Sequence, residues 1–129
     1  MKNEVLFIIL ASISTAYAQA LELRTPLSKN AAIQLLEGAS VELTSTRGNR
    51  LSWKNDVSGS MVAHAATPNG RVSAAEGTWK INDKGQFCVS INWRSNLEEW
   101  CRFVVKEDDG YYLTRSGGEK VTKVDIGRK

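Results

Sequence analysis

From Ser40 to the end of the chain, short runs of alternating apolar and polar residues are separated by turn residues. Val41 and Leu43, for example, alternate with polar neighbours. Successive side chains of a strand point to opposite faces, so this period of two indicates strands with one buried face. The clearest turn is "TPNGR", in which Asn69-Gly70 is typical of a β-hairpin. The spacing predicts a mainly β fold of about eight antiparallel strands, as a small barrel or a sandwich.

One short helix is predicted ahead of the strands, in "LSKNAAIQLLEG". Ser28 is placed to cap its amino end, and Gly38 stands where a glycine often ends a helix. Its apolar residues lie on one side, so we expect this helix to cover the sheet. The long strand "VSAAEGTWKI" is expected to bulge near Gly77.

The stretch from Gly77 to Phe103 contains three of the four tryptophans and both cysteines. Strict alternation places every second residue of "QFCVSINW" on one face, which predicts a half-buried strand. Because large aromatic side chains dominate small cores, we interpret these residues as core, with an aromatic ligand platform as the alternative. The predicted core residues of this stretch are Trp79, Phe87, Val89, Ile91, Trp93 and Trp100.

The amino terminus is typical of an export signal. Val5 to Ile13 is an apolar run too short to span a bilayer, and Ala16-Tyr17-Ala18 supplies the small residues of a cleavage site. Residues 1–18 are therefore predicted to be a signal peptide, and residues 19–129 a single secreted β domain. The alternative is a buried amino-terminal strand or helix. No lipid or membrane anchor is expected, and the predicted location is periplasmic or secreted.

The two cysteines, Cys88 and Cys101, are an even pair in a chain predicted to reach an oxidising compartment. They fall on strands joined by a short turn, so they can meet across neighbouring strands. A disulfide closing so short a loop contributes about 3 kcal/mol to stability. A metal site needs further ligands, and His64 is the only histidine. We therefore predict a structural disulfide and no metal site.

No residue pattern indicates catalysis or nucleic-acid binding. Glu98 and Glu99 are neighbours on a predicted strand and point to opposite faces. The acidic turn "EDDG" has too few ligands for calcium, and His64 has no nucleophile motif around it. Basic and acidic residues interleave, and the net charge is only +3. We expect no catalytic residue, no cofactor and no nucleic-acid partner, so the chain is predicted not to be an enzyme.

Three segments carry a resemblance to a known family. "LLEG" after a short helix, "GTWKINDKGQFCV" and "EEWCRFVVKEDDGYYL" follow one another in this chain. Their order resembles a family of small secreted bacterial proteins classed as a domain of unknown function. The likeness covers roughly residues 35–113, with Gly77-Thr78-Trp79, Cys88 and Trp100-Cys101 as landmarks. The chain ends in "DIGRK" rather than in that family's Gly-Asn. The resemblance implies secretion and a β-rich fold, and it implies no activity.

The layout is also similar, more loosely, to the periplasmic β-barrel inhibitors of secreted metalloproteases. Those proteins pair a Gly-x-Trp strand with one disulfide, and their extended amino-terminal segment enters the protease cleft. The corresponding segment here is Gln19 to Pro26. This likeness concerns the fold.

The functional expectation is a non-enzymatic exported protein of the bacterial envelope that binds an envelope or secreted protein. The segment Gln19 to Pro26 or loops such as Thr67 to Arg71 are expected to contact that partner. The alternatives are a carrier of a small apolar ligand with a lipocalin-like barrel, and a periplasmic protease inhibitor.

Overall fold

The computed structural model describes residues 25–116 and 120–128. The predicted signal peptide, residues 1–18, lies outside the described residues, and so do residues 19–24 of the segment Gln19 to Pro26. The described residues form one helix, α1 (Lys29–Leu36), and eight strands. The strands are β1 (Ala39–Thr44), β2 (Arg50–Lys54), β3 (Ser60–Ala66), β4 (Val72–Ile81), β5 (Phe87–Asn92), β6 (Leu97–Glu107), β7 (Gly110–Thr114) and β8 (Thr122–Arg128).

The eight strands close into an antiparallel barrel in chain order. Each strand pairs with the next, and β8 pairs with β1 so that Val41 lies opposite Ile126. Closure leaves the barrel without a free first or last strand, which removes the exposed edges of an open sheet. The prediction of a mainly β fold is confirmed, and a barrel is formed rather than a sandwich.

Side chains that point inward fill the barrel. Phe87 is fully buried at its centre, and its ring centroid lies 5.8 Å from that of Trp100 and 6.4 Å from those of Trp53 and Trp79. Edge-to-face and tilted contacts at these distances are favourable for aromatic rings. The strand residues that form this buried core cluster are Val41, Leu43, Leu51, Trp53, Met61, Ala63, Trp79, Phe87, Val89, Ile91, Val104, Leu113 and Val124.

Four of the six predicted core residues, Trp79, Phe87, Val89 and Ile91, are buried. Trp93 and Trp100 are only half-buried and pack against the edge of this cluster. Trp93 follows the last residue of β5, so it stands at one end of the barrel.

The bulge predicted near Gly77 is wrong. Gly77 pairs with Met61 of β3 and with Ile91 of β5, and both ladders continue without interruption. The glycine is needed for a different reason. A Cβ atom on it would lie 2.5 Å from the backbone oxygen of Ser90 and 2.9 Å from Cε of Met61. The absence of a side chain therefore lets three strands and the Met61 side chain approach closely.

The helix α1 covers the end of the barrel from which β1 starts. The Ser28 hydroxyl accepts a hydrogen bond from the Ala31 backbone at 3.1 Å, as predicted for an N-cap, and Gly38 follows the helix with φ of 73°. Ala32 and Leu36 are fully buried against the barrel. No helix in residues 25–116 and 120–128 has the length and apolar character needed to cross a membrane.

The predicted disulfide is confirmed. Cys88 and Cys101 lie directly opposite each other on β5 and β6, and their sulfurs are bonded. Because Val89 points inward, its neighbour Cys88 points to the outer side of the barrel. The bond thus joins two adjacent strands on the outer surface.

Candidate functional site

A wide concave surface lies outside the barrel, across β8, β1, β2, β3 and β4. It is a groove of about 1120 Å³, which we call the outer groove. Its lining residues are Ser40, Val41, Glu42, Ser52, Trp53, Lys54, Asp56, Ser60, Met61, Val62, His64, Glu76, Gly77, Asp125, Ile126 and Gly127. This volume is slightly above the range of about 300–1,000 Å³ that is usual for small-molecule pockets.

The regular pairing of β2 with β3 is interrupted where the outer groove lies. Their ladder covers only Arg50 to Ser52, and Ser52 opposite His64 is its last pair. The hairpin closes again where the Asp56 backbone donates a hydrogen bond to the Ser60 carbonyl at 3.2 Å. Between these points the gap exposes the edges of Trp53 and Met61, which otherwise belong to the core.

Asn55 fixes the position of the connection between β2 and β3. It is fully buried, and its backbone N–H donates to the Ala39 carbonyl at 2.8 Å, which extends the pairing of β2 with β1. Its side-chain amide donates to the Leu36 carbonyl at 3.0 Å and accepts from the Trp53 indole at 2.9 Å. A buried amide needs such partners. Asn55 therefore joins the end of β2 to the helix and to the start of β1.

A second, more apolar hollow of about 530 Å³ continues the outer groove along β3 and β4. We call it the alanine hollow because Ala65, Ala66 and Ala74 line it, together with Val72. Val72 is 80% exposed, and Val62 in the outer groove is 52% exposed. The two hollows share Glu42, Ser52 and His64, so they form one continuous surface. The predicted contact loop, residues 67–71, joins β3 to β4 beside the alanine hollow.

Strand pairing brings four polar residues that are distant in sequence into one row on the outer face. Asp125 lies opposite Glu42, Glu42 opposite Ser52, and Ser52 opposite His64. Side chains of directly opposite residues are about 4.5–5.5 Å apart at Cβ. The sequence analysis treated His64 as isolated, because neither the partner strand nor its register is visible in a local motif.

This row lacks the geometry of a nucleophilic site. No hydrogen bond joins Ser52 to His64 in the part of the chain that the structure describes, and an activated serine needs such a base. The described residues also contain no group of three or more His, Cys, Asp or Glu side chains that could hold a metal ion. The chemistry that the row offers is hydrogen bonding and charge.

Carboxylates predominate around the outer groove, which is lined by Glu42, Asp56, Glu76 and Asp125 with Lys54 as the one lysine. The pKa of Asp56 is lowered, because the Ser58 hydroxyl and backbone N–H donate to its carboxylate. Asp56 is therefore ionised at neutral pH. The groove is acidic although the chain carries a net charge of +3.

One of the four carboxylates is neutralised by a cation. Arg50 forms a salt bridge with Glu42, and the pKa of Arg50 is raised mainly by this contact. Asp125 contributes only a weaker, longer-range attraction to the same guanidinium. Both partners of the Arg50–Glu42 pair are exposed, so the pair adds little to stability.

The side chains of Glu98 and Glu99 point to opposite faces of β6, as predicted. Glu98 accepts hydrogen bonds from the indoles of Trp93 at 3.0 Å and Trp100 at 2.8 Å, so both of its oxygens have partners. Glu99 lies on the outer face, 3.4 Å from the Ser90 hydroxyl. Glu98 therefore ties the β5–β6 hairpin together at the end of the barrel opposite α1.

The acidic turn "EDDG" also has a structural role. Asp109 accepts a hydrogen bond from the Tyr112 hydroxyl at 2.9 Å and lies 3.6 Å from the Lys123 ammonium. The Tyr112 contact lowers the pKa of Asp109 and raises the pKa of Tyr112. The neighbouring Asp108 is exposed.

The chain was compared with protein families, curated proteins and solved structures. A family model described as "Protein of unknown function (DUF995)" matches residues 5–110. The match includes α1 and the strands β1 to β6. No curated protein and no solved structure matches the chain.

Proposed function

The chain belongs to the DUF995 family, a family of unknown function, and we propose that it is an exported, non-enzymatic protein that binds another protein in the outer groove. The single observation that carries this proposal is the continuous surface formed by the outer groove and the alanine hollow. It combines exposed Val62 and Val72 with polar side chains, of which His64, Glu76 and Asp125 are exposed on the outer face. Exposed apolar residues in a hollow that is bordered by polar residues are typical of interaction sites.

The barrel supports this proposal because packed core residues lie beneath the surface. The groove lies on paired strands, and its floor belongs to the packed core through Trp53 and Met61. A surface that is formed before binding loses little conformational freedom when the partner binds, which favours affinity.

The alternative of an apolar-ligand carrier has no comparable support. Lipocalin-like carriers hold their ligand inside the barrel. Here the interior is occupied by Phe87 and its neighbouring aromatic rings, and Ile91 and Val104 are also fully buried.

Export is part of the proposal. The apolar run Val5 to Ile13 and the small residues before Gln19 favour a cleaved signal peptide. The disulfide between Cys88 and Cys101 is consistent with an oxidising compartment, because such bonds are rare in the cytosol. Amino-terminal sequencing of the protein from cells is expected to begin at Gln19 or Leu21, and a form that retains Met1 would contradict export.

A protease inhibitor is retained as a second candidate because of two contacts just before the helix. Pro26 forms an isolated bridge with Val105 of β6, and the Leu27 backbone donates to the Val104 carbonyl at 2.8 Å. These contacts fix the base of the segment that the likeness to metalloprotease inhibitors singles out. Deletion of residues 19–24 is expected to leave both contacts intact, because it retains Pro26 and Leu27, so this deletion tests the segment separately from the barrel.

Site-specific cross-linking tests the proposal. A photoreactive amino acid is placed at Val62 in residues 19–129, and a matched probe is placed at Lys84, an exposed position in the β4–β5 turn. We expect the Val62 probe to cross-link one envelope or secreted protein, and unlabelled protein to compete. The Lys84 probe is expected to remain without that product.

Three results would contradict the groove as the binding site. The first is equal cross-linking from both positions, and the second is the absence of any product. The third is loss of the product on deletion of residues 19–24, which would favour the inhibitor candidate. A small molecule released on denaturation and seen by native mass spectrometry would favour the carrier.

A further inference from the structure

We infer that the occupant of the outer groove is an extended segment of the partner protein with lysine or arginine at both ends and apolar side chains between them. This inference rests on the function proposed above, because it specifies the chemistry of the same surface. It is carried by the positions of the charged and exposed apolar residues on five adjacent strands.

Two carboxylates mark the opposite sides of the groove. Asp125 lies on β8 and Glu76 lies on β4, and both are exposed. Neither forms a salt bridge within residues 25–116 and 120–128, whereas Glu42 between them is bound by Arg50. Asp125 and Glu76 are therefore available to pair with cations of a partner, and they would repel an acidic segment or a nucleic acid.

The distance between these carboxylates sets the spacing of the cations. Four inter-strand steps separate β8 from β4, and at about 4.8 Å per step they amount to roughly 19 Å along the curved surface of the barrel. An extended chain advances about 3.3 Å per residue. Cationic residues about six positions apart therefore reach both carboxylates at once.

The middle of the groove favours uncharged side chains. Lys54 lies between the two sides and disfavours a cation at the centre of the segment. Ser52 and Gly127 are small, so they leave space for the side chains of the segment. Half-exposed Val62 provides an apolar contact. Because side chains of an extended segment alternate, every second central residue is expected to be apolar.

Labelled peptides test this inference directly. The first probe is acetyl-Lys-Ser-Val-Ser-Val-Ser-Lys-amide with a fluorescent label. The second has glutamate in place of both lysines, and the third is acetyl-Ser-Ser-Lys-Val-Lys-Ser-Ser-amide, in which both lysines are central. Fluorescence anisotropy at low salt is expected to rank the first probe tightest, the third weaker and the second weakest. Raising the salt concentration should weaken the first probe, because exposed charge pairs are screened.

Charge variants of the protein locate the binding. Glu76→Gln and Asp125→Asn are each expected to weaken the first probe by about two- to fivefold, as for exposed ion pairs. Asp108→Asn is the matched control, because it removes the same charge from an exposed turn outside the groove. It is expected to leave the affinity unchanged, and all three variants should keep the thermal midpoint of the parent.

The outcomes separate this inference from the proposed function. The inference would be overturned if the lysine and glutamate probes bound with equal affinity. It would also be overturned if Asp108→Asn weakened the first probe as much as Glu76→Gln and Asp125→Asn do. If a partner is cross-linked at Val62 but its binding is insensitive to Glu76→Gln and Asp125→Asn, the inference fails and the proposed function stands. If the first probe binds as expected but no partner is cross-linked, the groove chemistry stands and the proposed function fails.

Discussion

Gly77→Ala is the substitution that most directly tests how the barrel is packed. The added methyl group would lie 2.5 Å from the Ser90 backbone oxygen, 2.9 Å from Cε of Met61 and 3.3 Å from Cα of Ile91. Comfortable contacts between such atoms are about 3.5 Å or longer, so β4 and β5 must move apart by about 1 Å. The closest atom belongs to a paired backbone, which cannot rotate away as a side-chain end can.

The expected loss follows from two opposing contributions. Overpacking a well-filled core costs about 1–3 kcal/mol. Replacing glycine by alanine also restricts the unfolded chain, which stabilises a protein by about 0.4–1 kcal/mol where the backbone permits. We therefore expect the free energy of unfolding to fall by about 1–2 kcal/mol, with a decrease of several degrees in the melting temperature.

Urea unfolding of residues 19–129, followed by tryptophan fluorescence, measures this loss. Gly127→Ala in β8 is the matched control, because nothing lies within 4 Å of its Cβ position. That variant is expected to be as stable as the parent or slightly more stable. The reasoning is refuted if Gly77→Ala unfolds at the same urea concentration as Gly127→Ala.

Three further predictions concern the disulfide, the core and the β6–β7 turn. Replacing Cys88 and Cys101 together by serine should lower the free energy of unfolding by about 3 kcal/mol, and an unchanged urea midpoint would contradict a stabilising bond. Trp79→Ala should lower it by about 3–5 kcal/mol, because this side chain is only 9% exposed; unchanged stability would indicate that Trp79 contributes little to the core. Tyr112→Phe should raise the pKa of Asp109 in an NMR titration, since the lost hydroxyl holds it down. A carboxyl group whose pKa is lower in the folded state stabilises the protein at pH values above its pKa in the unfolded state, which is about 3.9 for Asp. This stabilisation is lost as the pH falls through the folded-state pKa. Tyr112→Phe should therefore destabilise the protein at neutral pH and have no effect through this contact once Asp109 is protonated in both the folded and the unfolded state; an unchanged Asp109 titration would contradict the role of the hydrogen bond.

The features predicted correctly from the sequence are those set by neighbouring residues. The N-cap at Ser28 needs only its own hydroxyl and the Ala31 backbone three positions later. The disulfide depends on one hairpin, whose alternation and turn already place Cys88 opposite Cys101. Interactions between residues that are close in sequence determine such features, so they can be predicted from a single sequence.

Features that depend on distant pairings could not be predicted in this way. Barrel closure requires β8 to lie beside β1, and the alternation of either strand is equally compatible with a sandwich. The error at Gly77 has the same origin. A glycine within a strand indicates either a bulge or a close approach, and only the positions of Met61 and Ser90 decide between them.

The outer groove shows the same limit for the site. Asp125 and Glu76 lie 49 positions apart in the chain and on opposite sides of one surface, so no motif connects them. His64 becomes part of a polar row only through the last pair of the β2–β3 ladder. Local patterns in the sequence therefore point to the amino-terminal segment and to residues 67–71 as contact sites, and the groove is visible only in the folded structure.

Asn55 links the stability of the fold to the shape of this surface. In "NDVSG", Asn55 is a residue type that is common in turns, yet it is fully buried. It forms hydrogen bonds with Trp53, Leu36 and Ala39. The hydrogen bond from the Asn55 amide to the Leu36 carbonyl attaches the helix to the connection between β2 and β3, and the one from the Trp53 indole holds a residue that lines the outer groove. Because a buried amide that loses its partners is costly, the contacts that stabilise the fold also keep Trp53 in the wall of the groove.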